Sequence, residues 1–132
     1  MEESNLLADD VLKQIDAVAT AVAKDISTKT NREIKADMEG VTELDNWIME
    51  VRNDWDIKQK ATMSTGFGAF LGMAIINEVG GHWTKAGDGE PMVQTECEEP
   101  YTAAPFSKVV KMFANGADDS IMHMLDLLMG SR

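Results

Sequence analysis

From Leu7 to Trp55 the chain places apolar residues in steps of three and four. One run is Leu7, Val11, Ile15, Val18, Val22, Ile26, and a second is Ile34, Met38, Val41, Leu44, Ile48, Val51, Trp55. Such steps keep side chains on one face of a helix of 3.6 residues per turn, while Asp10, Lys13, Asp16 and Lys24 fall off the first stripe. Through residue 60 there is no proline and a single glycine, Gly40, so nothing else interrupts the pattern. Asn5 suits the start of the first helix and Ser27-Thr28-Lys29-Thr30 its end; Thr30-Asn31-Arg32-Glu33 has capping-box form for the second. Gly40 either sits inside that helix, costing about 1 kcal/mol, or breaks it so that Thr42 recaps. The two helices are expected to pack as a hairpin.

The second half holds all three prolines and the other nine glycines, and reads as helices around short strands. Ser64 or Thr65 would cap a third helix running through Val79, with Gly68 and Gly72 on one face to admit a close neighbour. Gly80-Gly81 would stop it, one glycine at positive φ, and the chain would reverse into a strand that lays Trp83 on the Gly68–Gly72 face. His82–Lys85 and Met92–Thr95 are strand candidates joined across Gly87-Asp88-Gly89, with a third extended piece near Tyr101. Pro105 suits the first position of a helix that Asn115-Gly116 closes, and Asp118 or Asp119 would cap a last helix carrying Ile121, Met124, Leu125 and Leu128. The expected fold is a single α+β domain over 1–132. It has an N-terminal helical hairpin within 1–60; over 64–132 follow a central helix, a small antiparallel hairpin or three-stranded sheet, and two C-terminal helices.

Composition narrows the function. Over 132 residues, 23 acids against 12 bases leave a net charge of -11, which opposes phosphate-binding and anionic-membrane surfaces. Met1 to Asn5 is acidic where a secretory signal is basic, and the most apolar stretch, Gly66 to Ile76, is too short to cross a bilayer, so the expectation is a cytoplasmic protein, or one delivered by a route that leaves no mark in the sequence. Cys97 is the one cysteine and sits among Glu96, Glu98 and Glu99, an electronegative setting unsuited to a nucleophile. His82, Cys97 and His123 lack metal-ligand spacing, so neither a metal nor a cofactor is expected. Ser64-Thr65-Gly66-Phe67-Gly68 is not a nucleophile elbow, and Gly66-x-Gly68-xxx-Gly72 is not a dinucleotide fingerprint. The carboxylate pairs Asp9-Asp10, Glu98-Glu99 and Asp118-Asp119 read as solvated charge or helix caps, and no residue is assigned to catalysis.

The segments Phe67-Gly68-Ala69-Phe70-Leu71-Gly72, Gly80-Gly81-His82-Trp83, Pro105-Phe106-Ser107-Lys108-Val109-Val110-Lys111 and Asn115-Gly116-Ala117-Asp118-Asp119-Ser120 occur in that order. Over about residues 64–128 they resemble a diffuse group of small uncharacterised bacterial proteins with the pattern LGxxLG…GGxW…P…KVxK…NGxxDS. That group usually carries Glu where this chain has Met73, and the resemblance implies no activity. In size and acidity the chain is similar in type to immunity proteins of bacterial toxin systems.

These readings point to a small acidic protein-binding module, without enzymatic activity, for which an immunity protein occluding a toxin or effector is the model. Its partner would be a basic protein, and a homodimer is compatible with the sequence. Trp47 and Trp55 are the candidate anchors and Glu96, Glu98 and Glu99 the candidate acidic contacts; Gly68, Gly72, Gly80, Gly81 and Trp83 form the structural motif. The bland alternative places both tryptophans at the core edge. The competing functional readings are a small-ligand-binding or enzymatic domain with a pocket beside Gly80–Trp83, and an acidic nucleic-acid mimic. Methionines such as Met112, Met122, Met124 and Met129 suit an adaptable surface or the core.

Overall fold

A computed structural model describes residues 7–97 and 99–130. Five helices, α1 (Asp9–Thr30), α2 (Met38–Val51), α3 (Ile57–Val79), α4 (Pro105–Asn115) and α5 (Ile121–Gly130), accompany three strands, β1 (Gly81–Lys85), β2 (Pro91–Thr95) and β3 (Thr102–Ala103). The strands form one antiparallel sheet in the order β1-β2-β3, with Trp83 opposite Val93 and Val93 opposite Ala103. This is the α+β layout that the periodicity predicts.

The element at the centre is α3. It touches α1, α2, α4, α5, β1 and β2, and its run from Gly66 to Gly72 is buried without a break. A helix apolar on every side is a helix surrounded by neighbours. Small residues let those neighbours come close: Gly66 faces Val18 and Val22 of α1. The stripe of α1 buries Ile15, Ala19, Val22 and Ile26, chiefly along α3, with a smaller contact to α2. Phe67, Phe70, Leu71 and Ile75 of α3 join Val41, Leu44 and Ile48 of α2, Val109 and Met112 of α4, and Ile121 and Leu125 of α5 in one core.

Four helix boundaries differ from expectation, each for a local reason. The 30–33 capping box does not form, because Asn31 takes the left-handed conformation that ends α1 and the Thr30 hydroxyl donates to Ile26 O. The chain then runs irregularly to Asp37, anchored by buried Ile34, whose N–H donates to Ser27 Oγ at 2.8 Å. Asp37 caps α2 through Gly40 N at 2.9 Å, so of the two expectations Gly40 sits inside the helix, in its first turn, and does not break it. A Cβ there would overlap Lys35 O and press on the Phe70 ring. Trp55 falls beyond α2, whose C-cap is Arg52. In place of Ser64 or Thr65, Asp56 caps α3 with Gln59 in a true capping box, and the Ser64 hydroxyl donates to Lys60 O inside the helix. Ser120, not Asp118 or Asp119, caps α5, its Oγ accepting from His123 N at 3.1 Å. The expected Asn5 cap lies outside the described residues.

At the Gly80-Gly81 stop both glycines have positive φ, 92° and 147°. The turn throws the chain into β1, and Trp83 lands on Gly72, where a Cβ would overlap the indole. Gly68 serves a different neighbour: its missing Cβ admits Phe106, in the first turn of α4. The expected single glycine face is therefore divided between an indole and a helix.

Candidate functional site

Trp47 and Trp55 are brought together. Their rings meet edge to face at 6.0 Å, and both lie against Phe67, at 5.0 and 6.2 Å between centroids. Phe113 completes a four-ring cluster, 6.1 Å from Phe67 and 6.0 Å from Trp55. Edge-to-face and offset arrangements of this kind contribute about 0.5–1.5 kcal/mol beyond burial. Both tryptophans are half-buried and packed on the core, so each has an inner face in the fold and an outer edge in solvent.

The outer edges differ. Around Trp47 the surface is polar: Lys29 Nζ lies 5.9 Å from its ring centroid and 3.3 Å from Glu50 Oε1, in a hollow that also includes Glu43 and Asn46. Trp55 instead walls a largely apolar groove of about 360 Å³ with Thr62 and Met63, rimmed by Asp56 and Lys58. Between Asp56 and Lys58 in the chain, Ile57, at the first position of α3, is 86% exposed. Sequence reasoning missed this patch because it capped α3 at Ser64 or Thr65; the Asp56–Gln59 box was the signal for a start at Ile57.

The remaining candidates separate. Glu96 and Glu99 are exposed on the loop between β2 and β3, and Glu98 lies outside the described residues. That loop is pinned at its ends, where Thr95 N donates to Tyr101 O and Tyr101 N to Thr95 Oγ1. Glu96 and Glu99 thus belong to the sheet end of the chain and not to the four-ring cluster. His82 and His123 are exposed and Cys97 is half-buried. Among the described residues, no group of three or more His, Cys, Asp or Glu side chains is arranged to hold a metal ion, and no helix is long and apolar enough to cross a membrane. Trp83 is 9% exposed, and its indole N–H is buried without an acceptor among the described residues.

One buried carboxylate escaped the sequence reading altogether. Asp45, on the core side of α2, accepts from Ser120 Oγ at 2.5 Å and from Met122 N at 3.1 Å. It satisfies the start of α5, where a negative charge meets the positive end of the helix dipole, and its role is structural.

No family model, curated protein or solved structure matches this chain.

Proposed function

We propose that the chain is a non-enzymatic, acidic, cytoplasmic protein-binding module that captures a basic partner, in the manner of an immunity protein covering a toxin or effector. Its place in the bacterial group that it resembles is part of the same proposal. The observation that carries the reading is one patch: exposed Ile57, set in the chain between Asp56 and Lys58 of the Trp55 groove, on a chain of net charge -11. Aromatic and aliphatic anchors with a polar rim are the usual composition of an interface centre, and surplus negative charge speeds encounter with a cationic protein.

The test begins with the full chain, crosslinked in its native host and its partner identified by mass spectrometry. The association rate with that purified partner should then fall steeply as salt rises past about 0.15 M. Ile57→Glu should weaken binding about tenfold or more, with the urea midpoint unchanged. An acidic partner bound at a salt-independent rate, or full affinity in Ile57→Glu, overturns the reading.

A second reading, a small ligand held near Gly80–Trp83, is favoured by one observation, the unpartnered indole N–H of Trp83.

A further inference from the structure

On the far side of α3 from Phe67, a groove of about 370 Å³ runs between α1, α3, the start of β2 and α4. Its walls are mostly apolar, with Val11, Ile15 and Val18 from α1, buried Ala69 from α3 and half-buried Phe106 from α4; Gln14 and Thr65 add uncharged polar groups at exposed positions. One ionised group lines it, Glu90. The backbone of Glu90 is held by the β1–β2 turn, its N–H donating to Asp88 Oδ1 and its carbonyl accepting from Ala86 N, both at 2.9 Å. Ser107 Oγ lies 3.0 Å from both carboxylate oxygens. A hydroxyl has one proton, whereas a carboxylate offers about four acceptor positions, so most of that capacity remains.

Among the described residues, no Lys, Arg or His nitrogen lies within ion-pair distance of Glu90. Lys111 lines an adjoining groove that shares Thr65, Glu90 and Phe106, and still stays beyond that distance. The result is a half-buried, positionally fixed carboxylate at the edge of a mostly apolar trough, the mixture of greasy walls and a few polar groups that marks small-molecule sites. We propose that this groove binds a small organic cation with an apolar body, an ammonium group on Glu90 and a hydrocarbon chain along Val11, Ile15 and Val18. Charge complementarity selects the class: a neutral chain leaves the carboxylate unpaired, and an anionic one is repelled by it. The inference is independent of the partner-binding reading.

The full isotope-labelled chain is titrated at neutral pH with hexylamine, 1-hexanol and hexanoate, and followed by NMR. Hexylammonium should shift the methyl signals of Val11, Ile15 and Val18 and bind about tenfold tighter than 1-hexanol, with hexanoate weakest. Glu90→Gln, which keeps an acceptor for Ser107, should bring the amine down to the level of the alcohol. Thr65→Leu, which fills the groove from an exposed position, should weaken both. Equal binding of amine and alcohol to the unaltered chain overturns the proposal, as do shifts confined to other surfaces. An amine preference that survives Glu90→Gln does so too.

Discussion

At the scale of single residues, the junction of α3 and β1 is the most demanding place in the molecule. The benzo end of Trp83 rests on Gly72, and the ring centroid lies 6.0 Å from that of Phe106. Gly72→Leu must displace the indole, at a cost of about 1–3 kcal/mol. Trp83→Ala removes a nearly buried ring and should cost about 3–5 kcal/mol, whereas Trp83→Phe keeps an aromatic body and deletes the orphaned donor, so it should lose far less. Urea denaturation of the three variants checks this, and equal losses in Phe and Ala would show that the N–H has a partner. Gly72 and Trp83 were legible as a pair because a helix stop separates them by a short, stiff turn; the preference of Gly68 for Phe106 was not, because α4 arrives from a distant stretch of sequence. Asp119 gives a second test at this scale. Its carboxyl is held below the usual aspartate value of 3.8, first by the side-chain hydrogen bond from Asn115 and then by that from Lys108, against a smaller opposing effect of burial. A carboxyl depressed in the folded chain stabilises it above 3.8 and loses that contribution as pH falls through the lower folded value. The urea midpoints of the unaltered chain and Asp119→Asn should differ at pH 7 and converge below that range. A constant difference would remove the ionic explanation.

At the scale of elements, helices here close one another's ends. Glu78 of α3 accepts from Met38 N at the start of α2, Asp45 of α2 accepts at the start of α5, and Arg52 donates to Phe113 O and Ala114 O at the end of α4. Each sign is the one a helix dipole favours: carboxylates at two N-termini, a guanidinium at a C-terminus. Asp45→Ala strands the Met122 N–H in a partly buried setting and should cost about 1–2 kcal/mol; Asp45→Asn, which can still accept, should cost less. Arg52→Ala leaves carbonyls nearer to solvent and should cost about 1 kcal/mol. Hydrogen exchange would locate the loss, with α5 amides opening first in Asp45→Ala and α4 amides in Arg52→Ala. Global unfolding with no local signature would argue against end-capping. This exchange of caps also explains which features of the fold were legible. Periodicity reports which residues face the core, so α1, α2, α4, α5 and the hairpin were readable from apolar spacing and turn glycines. It says little about where a helix begins when the groups that satisfy its end come from another element. Residues 30–33 held a local capping signal that the chain does not use, and nothing in the sequence around Asp45 points to its partners in α5. The tryptophan pair was identifiable, but its apolar outlet depended on the boundary at Ile57.

At the scale of the whole molecule, net charge acts on both folding and encounter. A chain at -11 repels itself when compact. Attractive pairs oppose this, among them Lys29–Glu50 at 3.3 Å, Arg32 with Glu39 and Glu43, and Lys108–Asp119 at 3.2 Å. Exposed pairs contribute about 0–1 kcal/mol each, and salt screens attraction and repulsion alike. With acids outnumbering bases 23 to 12, repulsive pairs prevail over distances beyond the closest contacts, so screening should remove more repulsion than attraction. The Debye length shrinks from about 30 Å at 0.01 M salt to about 10 Å at 0.1 M, a range that spans the separation between surface charges on a small domain. Raising sodium chloride across that interval at pH 7 should therefore raise the urea midpoint. Chloride is the proper choice, since sulfate strengthens apolar burial by exclusion and would raise the midpoint whatever the charge. The same titration lowers the field that draws in a cationic protein, so stability and association rate should move in opposite directions with salt. A midpoint that falls over this range would mean that the close ion pairs outweigh the surplus. The acids would then be arranged as local pairs and caps, and the electrostatic half of the binding proposal would lose its source.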